Sequence, residues 1–319
     1  MGWLGSAAAL PLGARGQTPA GRPLVGFLSA VSRQRNAKMV DAFEQGLREL
    51  NFVAGRDVEI AYRFADGYLD QLPQLAREIV ELKPNVVLAA VTPAVIAVRK
   101  WTDTVPIVCP LLADAVRFGL ISSMAHPAGN VTGVAFRTDG LVGKQVELAL
   151  QIVPAATRIG FLVNVAGTIV IDRDEMDGVA RQLGIKLIPA EVRAPEELRP
   201  AFDALAASDV QAVVVQVDGL FYNERQLVAE IAANSRLPTV YGFRDHVDAG
   251  GLISYGVNLA ACFRSSATYV VNVVKGARPG DLPVEFPTKL ELVVSMRAAK
   301  ALGLNLPPTL LAVADDVIE

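Results

Sequence analysis

Seven polar residues stand where apolar runs stop, or close to such a point. Ser29 ends LVGFLS, with Ser32 just beyond it; Thr92 follows NVVLAAV, and Asp114 comes shortly after PIVCPLL. Asn164 ends RIGFLVN, Asp218 follows AVVVQV, and Tyr255 lies inside LISYGV. Hydroxyls, an amide and two carboxylates suit reversible capture of a small polar molecule by hydrogen bonds and charge. Each residue also has a plainer use. Ser29, Thr92 and Asp114 can cap the next helix, and Asp218-Gly219 can form a turn. Capping alone, however, does not require such groups to gather on one face of two sheets.

The Thr92-Pro93-Ala94 corner has a specific chemistry. A helix start exposes backbone N–H groups and partial positive charge, so it can receive an anion such as a ligand carboxylate. Proline costs little there, because a first-turn N–H lacks an intrahelical partner. Asp218 can pair with a ligand cation such as an ammonium group. A zwitterion held between the two would draw their supporting elements together.

Those elements follow from hydrophobic periodicity. Continuous apolar strands at 24–29, 58–65, 85–91, 106–112 and 131–136 alternate with helical patterns at 36–50, 69–82 and 93–101. A further helix is expected over AVRFGLISSMA, 115–125. The cycle repeats with strands at 158–164, 186–192, 212–217 and 238–242 and helices at 141–153, 171–183, 196–206 and 222–233. Such alternation predicts an α/β fold of two doubly wound parallel-sheet lobes. Later elements, a strand at LISYGV, a helix at 259–275 and extended chain at VEFP and KLELVVS, return to complete the earlier lobes through several crossovers. The expected division is 22–136 plus 252–280 for the first lobe and 137–251 plus 281–319 for the second. Parallel sheets bind ligands beyond the C-terminal ends of their strands, so the cleft between lobes is the expected site.

Composition narrows the function. The 319 residues are 52% hydrophobic, with a formal net charge of −3, which disfavours broad nucleic-acid binding. The chain lacks a GxGxxG after its first strand, a GxxxxGK[ST] and a GxSxG, so dinucleotide, P-loop and hydrolase-elbow signatures are missing. It has no CxxC or HExxH, so no metal and no cofactor are expected, and no catalytic residue is assigned. His126 and His246 read as loop residues, and the Asp315-Asp316 pair as solvated. Cys109 and Cys262 either pair or are small buried apolar residues. MGWLGSAAALPLGARGQ is apolar and small, and Ala14-Arg15-Gly16 suits a signal peptidase. No basic residue precedes the apolar run, so residues 1–16 are either a truncated export signal or a Gly/Ala-rich disordered start.

The stretches AFEQGLRELNFVAGRDVEIAYRFADG, TPA at 92–94, DAVRFGLISSMAHPAGNVTGVAF, GGLISYGVN and PTKLELVVSMRAAKALGLNLPPTLLAVADDVIE carry a family resemblance. Over about residues 23 to 319 the chain resembles the ABC transporter substrate-binding proteins of the type I periplasmic-binding fold, in the group with tryptophan- and tyrosine-binding members. The resemblance implies an exported, soluble, monomeric periplasmic receptor. It would capture a small-molecule ligand, an amino acid or aromatic carboxylate, and hand it to an ABC permease in the inner membrane. It implies ligand-lining positions at Thr92, Asp114, Asn164 and Asp218. The chain departs from the family pattern in two places. It reads NVAGTIV where members often have Asn-Pro-Asn-x-Pro, and Ala115 follows Asp114 where proline is usual. Arg244 can supplement the anion site. The alternatives are a ligand-sensing receptor subunit, and a Rossmann-like lyase or isomerase with Asp114 or Asp218 as base.

Overall fold

The computed structural model describes residues 21–136, 140–167, 173–287 and 289–319. The export-signal expectation for residues 1–16 therefore falls outside the described residues. The first sheet contains β1 (Leu24–Ser29), β2 (Glu59–Phe64), β3 (Val86–Ala89), β4 (Ile107–Ala113) and β5 (Val131–Phe136), all parallel in the order β2-β1-β3-β4-β5. The intervening helices are α1 (Ala37–Glu49), α2 (Leu72–Glu81) and α3 (Thr92–Arg99). Side chains alternate across the pleat, so Val25 and Phe27 enter the core under α1 while Leu28 enters the one under α2 and α3. Both faces are covered, which explains the nearly unbroken apolar strands.

The second sheet contains β6 (Arg158–Asn164), β7 (Lys186–Val192), β8 (Ala212–Val215), β9 (Thr239–Tyr241), β10 (Ile253–Val257), β11 (Leu290–Ser295) and β12 (Asp316–Ile318). Their order is β12-β11-β10-β9-β8-β6-β7. The helices are α4 (Leu141–Ile152), α5 (Arg173–Leu183), α6 (Leu198–Ala207), α7 (Gly219–Asn223), α8 (Arg225–Asn234), α9 (Arg244–Asp248), α10 (Leu259–Val274), α11 (Met296–Ala301) and α12 (Pro308–Val313). The sheet is not wholly parallel, because β10 and β11 run antiparallel.

The expected assignment of 252–280 to one lobe needs correction. β10 hydrogen-bonds to β9 and β11 and so belongs to the second sheet, whereas α10 packs on α1, β4 and β5 of the first lobe. The physical cause is close packing at Gly46 of α1. A Cβ there would strike the Arg264 carbonyl and Ala267 of α10, so the helices meet nearly backbone to backbone. The chain thus crosses between lobes after β5 and before α4, at Asn258, and again between Leu282 and Leu290.

Two helix expectations also change. Residues 115–125 form turns rather than a helix: Gly119 (φ 63°), inside the segment, adopts left-handed backbone that an α-helix cannot include, and Asp114 (φ 50°) does so just before it. The 222–233 helix splits into α7 and α8 at Glu224.

Candidate functional site

The C-terminal ends of the two sheets' parallel strands face each other. Arg35, beyond β1, reaches Glu224, beyond β8, at 3.0 Å. Phe136, at the end of β5, lies 6.5 Å by ring centroid from Phe243, just past β9. Tyr222 meets Phe243 edge-on at 5.7 Å. Ala90 and Ala113 of the first lobe and Val217 of the second share one apolar cluster with these rings. Small residues at the strand ends and aromatic residues opposite make an apolar wall beside the polar groups.

Asn164 and Asp218 meet in the second lobe. Both are buried, and the Asn164 Nδ2 donates to Asp218 Oδ1 at 2.7 Å. The same oxygen accepts from the Leu220 backbone N–H at 2.8 Å, so Asp218 caps α7. Asn164 is itself fixed: its N–H donates to Gln216 Oε1 at 2.8 Å, and its Oδ1 accepts from the Ala166 N–H at 3.0 Å. Burial pushes the Asp218 carboxyl above its ordinary range, against the hydrogen bonds from Asn164, Leu220 and Gly219. No Lys or Arg among the described residues is paired with Asp218. A buried carboxylate supplied with dipoles but no cation favours a positively charged partner. Gly167 lies over the pair, where a Cβ would stand 2.5 Å from Asp218 Oδ2 and 3.1 Å from Asn164 Nδ2. Gln216 and Gly167 had no role in the sequence reading; the Gln at the penultimate place of AVVVQV was the available signal.

In the first lobe Ser29 and Thr92 are also buried, but they differ in what they leave open. Thr92 Oγ1 donates to the Ala113 carbonyl at 3.1 Å and accepts from the Ala113 N–H at 2.9 Å. It fastens the end of β3 to the end of β4. The residue at the helix cap is Val91, not Thr92. The N–H groups of Ala94 and Val95 both bond to the Val91 carbonyl, and Pro93 has none. The α3 corner therefore offers an anion less than its sequence suggests. Ser29 Oγ accepts from the Val31 N–H at 3.0 Å and from Asn36 Nδ2 at 3.2 Å. Both lone pairs are filled, so its O–H is left to donate.

The other expected positions are less central. Ser32 accepts from the Arg35 N–H at 3.3 Å and organises the loop into α1. Asp114 is partly exposed and lies 4.0 Å from Arg117. Tyr255 is held within β10; its carbonyl accepts from Gln145 Nε2 at 2.9 Å, and its half-buried ring packs against the cores of both lobes. Arg244 is not free to meet a ligand anion. It pairs with Glu291 at 3.2 Å, Asp316 at 2.5 Å and Asp248 at 3.4 Å. Asp316 is thus a tail anchor as well as partly solvated, and Asp315, at the surface, pairs with Lys289 and accepts from the Leu292 N–H. His246 is buried in α9 rather than in a loop. Its Nε2 faces the Phe221 carbonyl at 3.1 Å and its Nδ1 the Phe243 carbonyl at 3.3 Å. Cys109 and Cys262 are buried free thiols, and no group of His, Cys, Asp and Glu among the described residues could hold a metal.

A cavity of about 570 Å³ opens elsewhere, on the crossover side, against Asn258, Cys262, Tyr269, Leu282 and Phe286. It contains none of the strand-end groups, and of its acids Glu285, Glu291 and Asp315 the last two are already ion-paired. The strand-end cleft is therefore the candidate site.

Two α/β lobes with strand ends opposed, joined by repeated crossovers, define the type I periplasmic-binding fold. Residues 25–318 match the family profile described as ABC transporter substrate binding protein, and the chain belongs to that family. It is 22% identical over 282 residues to a tyrosine-binding protein of Clostridioides difficile (strain R20291), covering 88% of this chain and 81% of that one. A conserved domain protein from Vibrio cholerae superposes with a TM-score of 0.85 at 25% identity, covering 92% of this chain and 99% of that one. An ABC domain from Streptococcus pneumonia, solved in complex with L-Trp, gives 0.83 at 23% identity, with 93% and 100% covered. The family consists of solute-binding proteins that work with an ABC transporter, not enzymes, so the lyase or isomerase alternative falls away.

Proposed function

We propose that this chain is the periplasmic, monomeric receptor of an ABC importer. It closes on an amino acid with an aromatic or large apolar side chain and delivers it to a permease in the inner membrane. The observation that carries the ligand class is Asp218: buried, hydrogen-bonded by Asn164, and without a cation among the described residues. The ligand ammonium supplies that cation. The Ser29 hydroxyl donates to the ligand carboxylate from the opposite lobe, and the side chain lies along Ala90, Ala113, Phe136, Val217 and Phe243. Binding both lobes only when they are together makes closure favourable. The tryptophan and tyrosine named for the two relatives agree with this chemistry.

A thermal-shift screen over the amino acids and over aromatic acids lacking an ammonium tests the reading. Tryptophan, tyrosine or a similar amino acid at a hundredfold excess over its Kd should stabilise the protein by about 2.7 kcal/mol. Stabilisation by phenylacetate-type acids with none by any amino acid would overturn it.

A further inference from the structure

The rims of the cleft carry charges that pair across it. On the first lobe, Arg33, Arg35 and Lys38 lie in and just after the β1–α1 loop; on the second, the acids Glu224, Asp245 and Asp248 lie among Arg225 and Arg244 at the starts and end of α8 and α9. Two of the cations cross the gap. Arg35 Nη1 meets Glu224 Oε1 at 3.0 Å, and Lys38 Nζ lies 3.3 Å from Asp248 and 3.9 Å from Asp245. Asp245 is mostly buried, and burial pushes its carboxyl up while Lys38 and Arg225 pull it down. These are direct contacts between side chains of the two lobes and need no ligand atom.

Their placement ties them to the ligand groups. Asn36 donates its side-chain amide to Ser29 and its backbone N–H to Ser32 at 2.9 Å, so the loop carrying Arg35 is fastened to Ser29. Across the cleft, Glu224 follows α7 directly, the short helix that Asp218 caps. Each lobe therefore holds its ligand group and its rim charge on one short element.

We infer that Arg35 and Lys38, with Glu224, Asp245 and Asp248, form an electrostatic latch that biases the cleft toward closure and sets how fast ligand leaves. They are positioning residues, since none need touch ligand; the inference rests on the clamp reading but not on the ligand assigned to it. Exposed pairs are individually weak and screened by salt. Their effect is on the balance between two nearly equal states, where small differences move populations.

The test uses spin labels at Gln74→Cys on α2 and Asp203→Cys on α6, both exposed, with Cys109 and Cys262 buried from the reagent. Inter-label distances in ligand-free protein should lengthen on going from about 20 mM to 500 mM NaCl. Arg35→Glu with Lys38→Glu should show the long distance already at low salt and release L-tryptophan roughly threefold to tenfold faster. Arg35→Glu with Glu224→Arg should restore the wild-type distribution. Distances indifferent to salt and to the Arg35/Lys38 double variant, or a reversed pair that fails to restore them, would overturn the latch. Because the distances are read without ligand, a wrong ligand class would leave this result standing and show only in the thermal-shift screen.

Discussion

The Thr92 corner and the Asp218 corner occupy equivalent places, each where a parallel strand gives way to a helix at the cleft. Their chemistry is opposite. Thr92 has spent its donor and one lone pair on Ala113 and works as a fastener within its own lobe. Asp218 is held by amides that orient it without neutralising it. The first corner contributes rigidity and the second keeps a charge ready for a partner. A polar residue at a strand end is therefore not informative by type alone; what matters is which of its hydrogen-bonding positions the protein has already filled.

The largest effect should come from Asp218→Asn. The substitution keeps the cap and the bond from Asn164 but removes the charge. Ligand affinity should fall about a hundredfold, in line with loss of a buried charge-assisted pair. Stability at neutral pH should hold or rise, because a carboxyl with a raised pKa costs folding free energy once it must ionise. The sign for the wild type follows: ligand binding favours the ionised carboxylate, so affinity measured by calorimetry should increase as pH climbs through the acid range above 3.8. Affinity unchanged in Asp218→Asn would break the comparison.

Thr92→Val should do the reverse. Stability should drop by about 1–3 kcal/mol, since the Ala113 N–H and carbonyl are left buried without partners. Ligand affinity should change no more than a few-fold. A large affinity loss with no change in denaturation midpoint would show that Thr92 is a ligand contact after all.

A smaller, pH-confined effect belongs to His246, which stacks on Tyr241 at 4.8 Å and holds α9 beneath the second corner. Burial lowers its pKa to about 4. The unfolded chain binds a proton near 6.5 that the folded chain refuses, so stability is full above that value and is lost as pH falls toward 4, by up to about 3 kcal/mol. His246→Gln should flatten this part of the stability profile in urea titrations.

Much of the fold was legible because buried parallel strands write themselves as short apolar runs of fixed spacing. Ser29, Asn164 and Asp218 were legible as strand-end polar residues for the same reason. The filling of their hydrogen bonds was not. Gln216, Gly167 and Gln145 act across distances in sequence that no local pattern records. The 115–125 segment misled because its apolar spacing is helical while Asp114 and Gly119 take left-handed backbone. The split of 252–280 misled because a strand and the next helix ordinarily share a layer, and here Gly46 draws α10 to α1 of the other lobe.

That interleaving bears on how the chain is made. The first lobe's sheet is complete in sequence by Phe136, yet the helix that covers one of its faces ends at Val274. On a ribosome, more than a hundred residues would be synthesised between the two, at several seconds or more for typical elongation rates. Through that interval Phe27, Leu88 and Val108 would lack their full cover, so the nascent chain is exposed to aggregation or chaperone capture until its last third emerges.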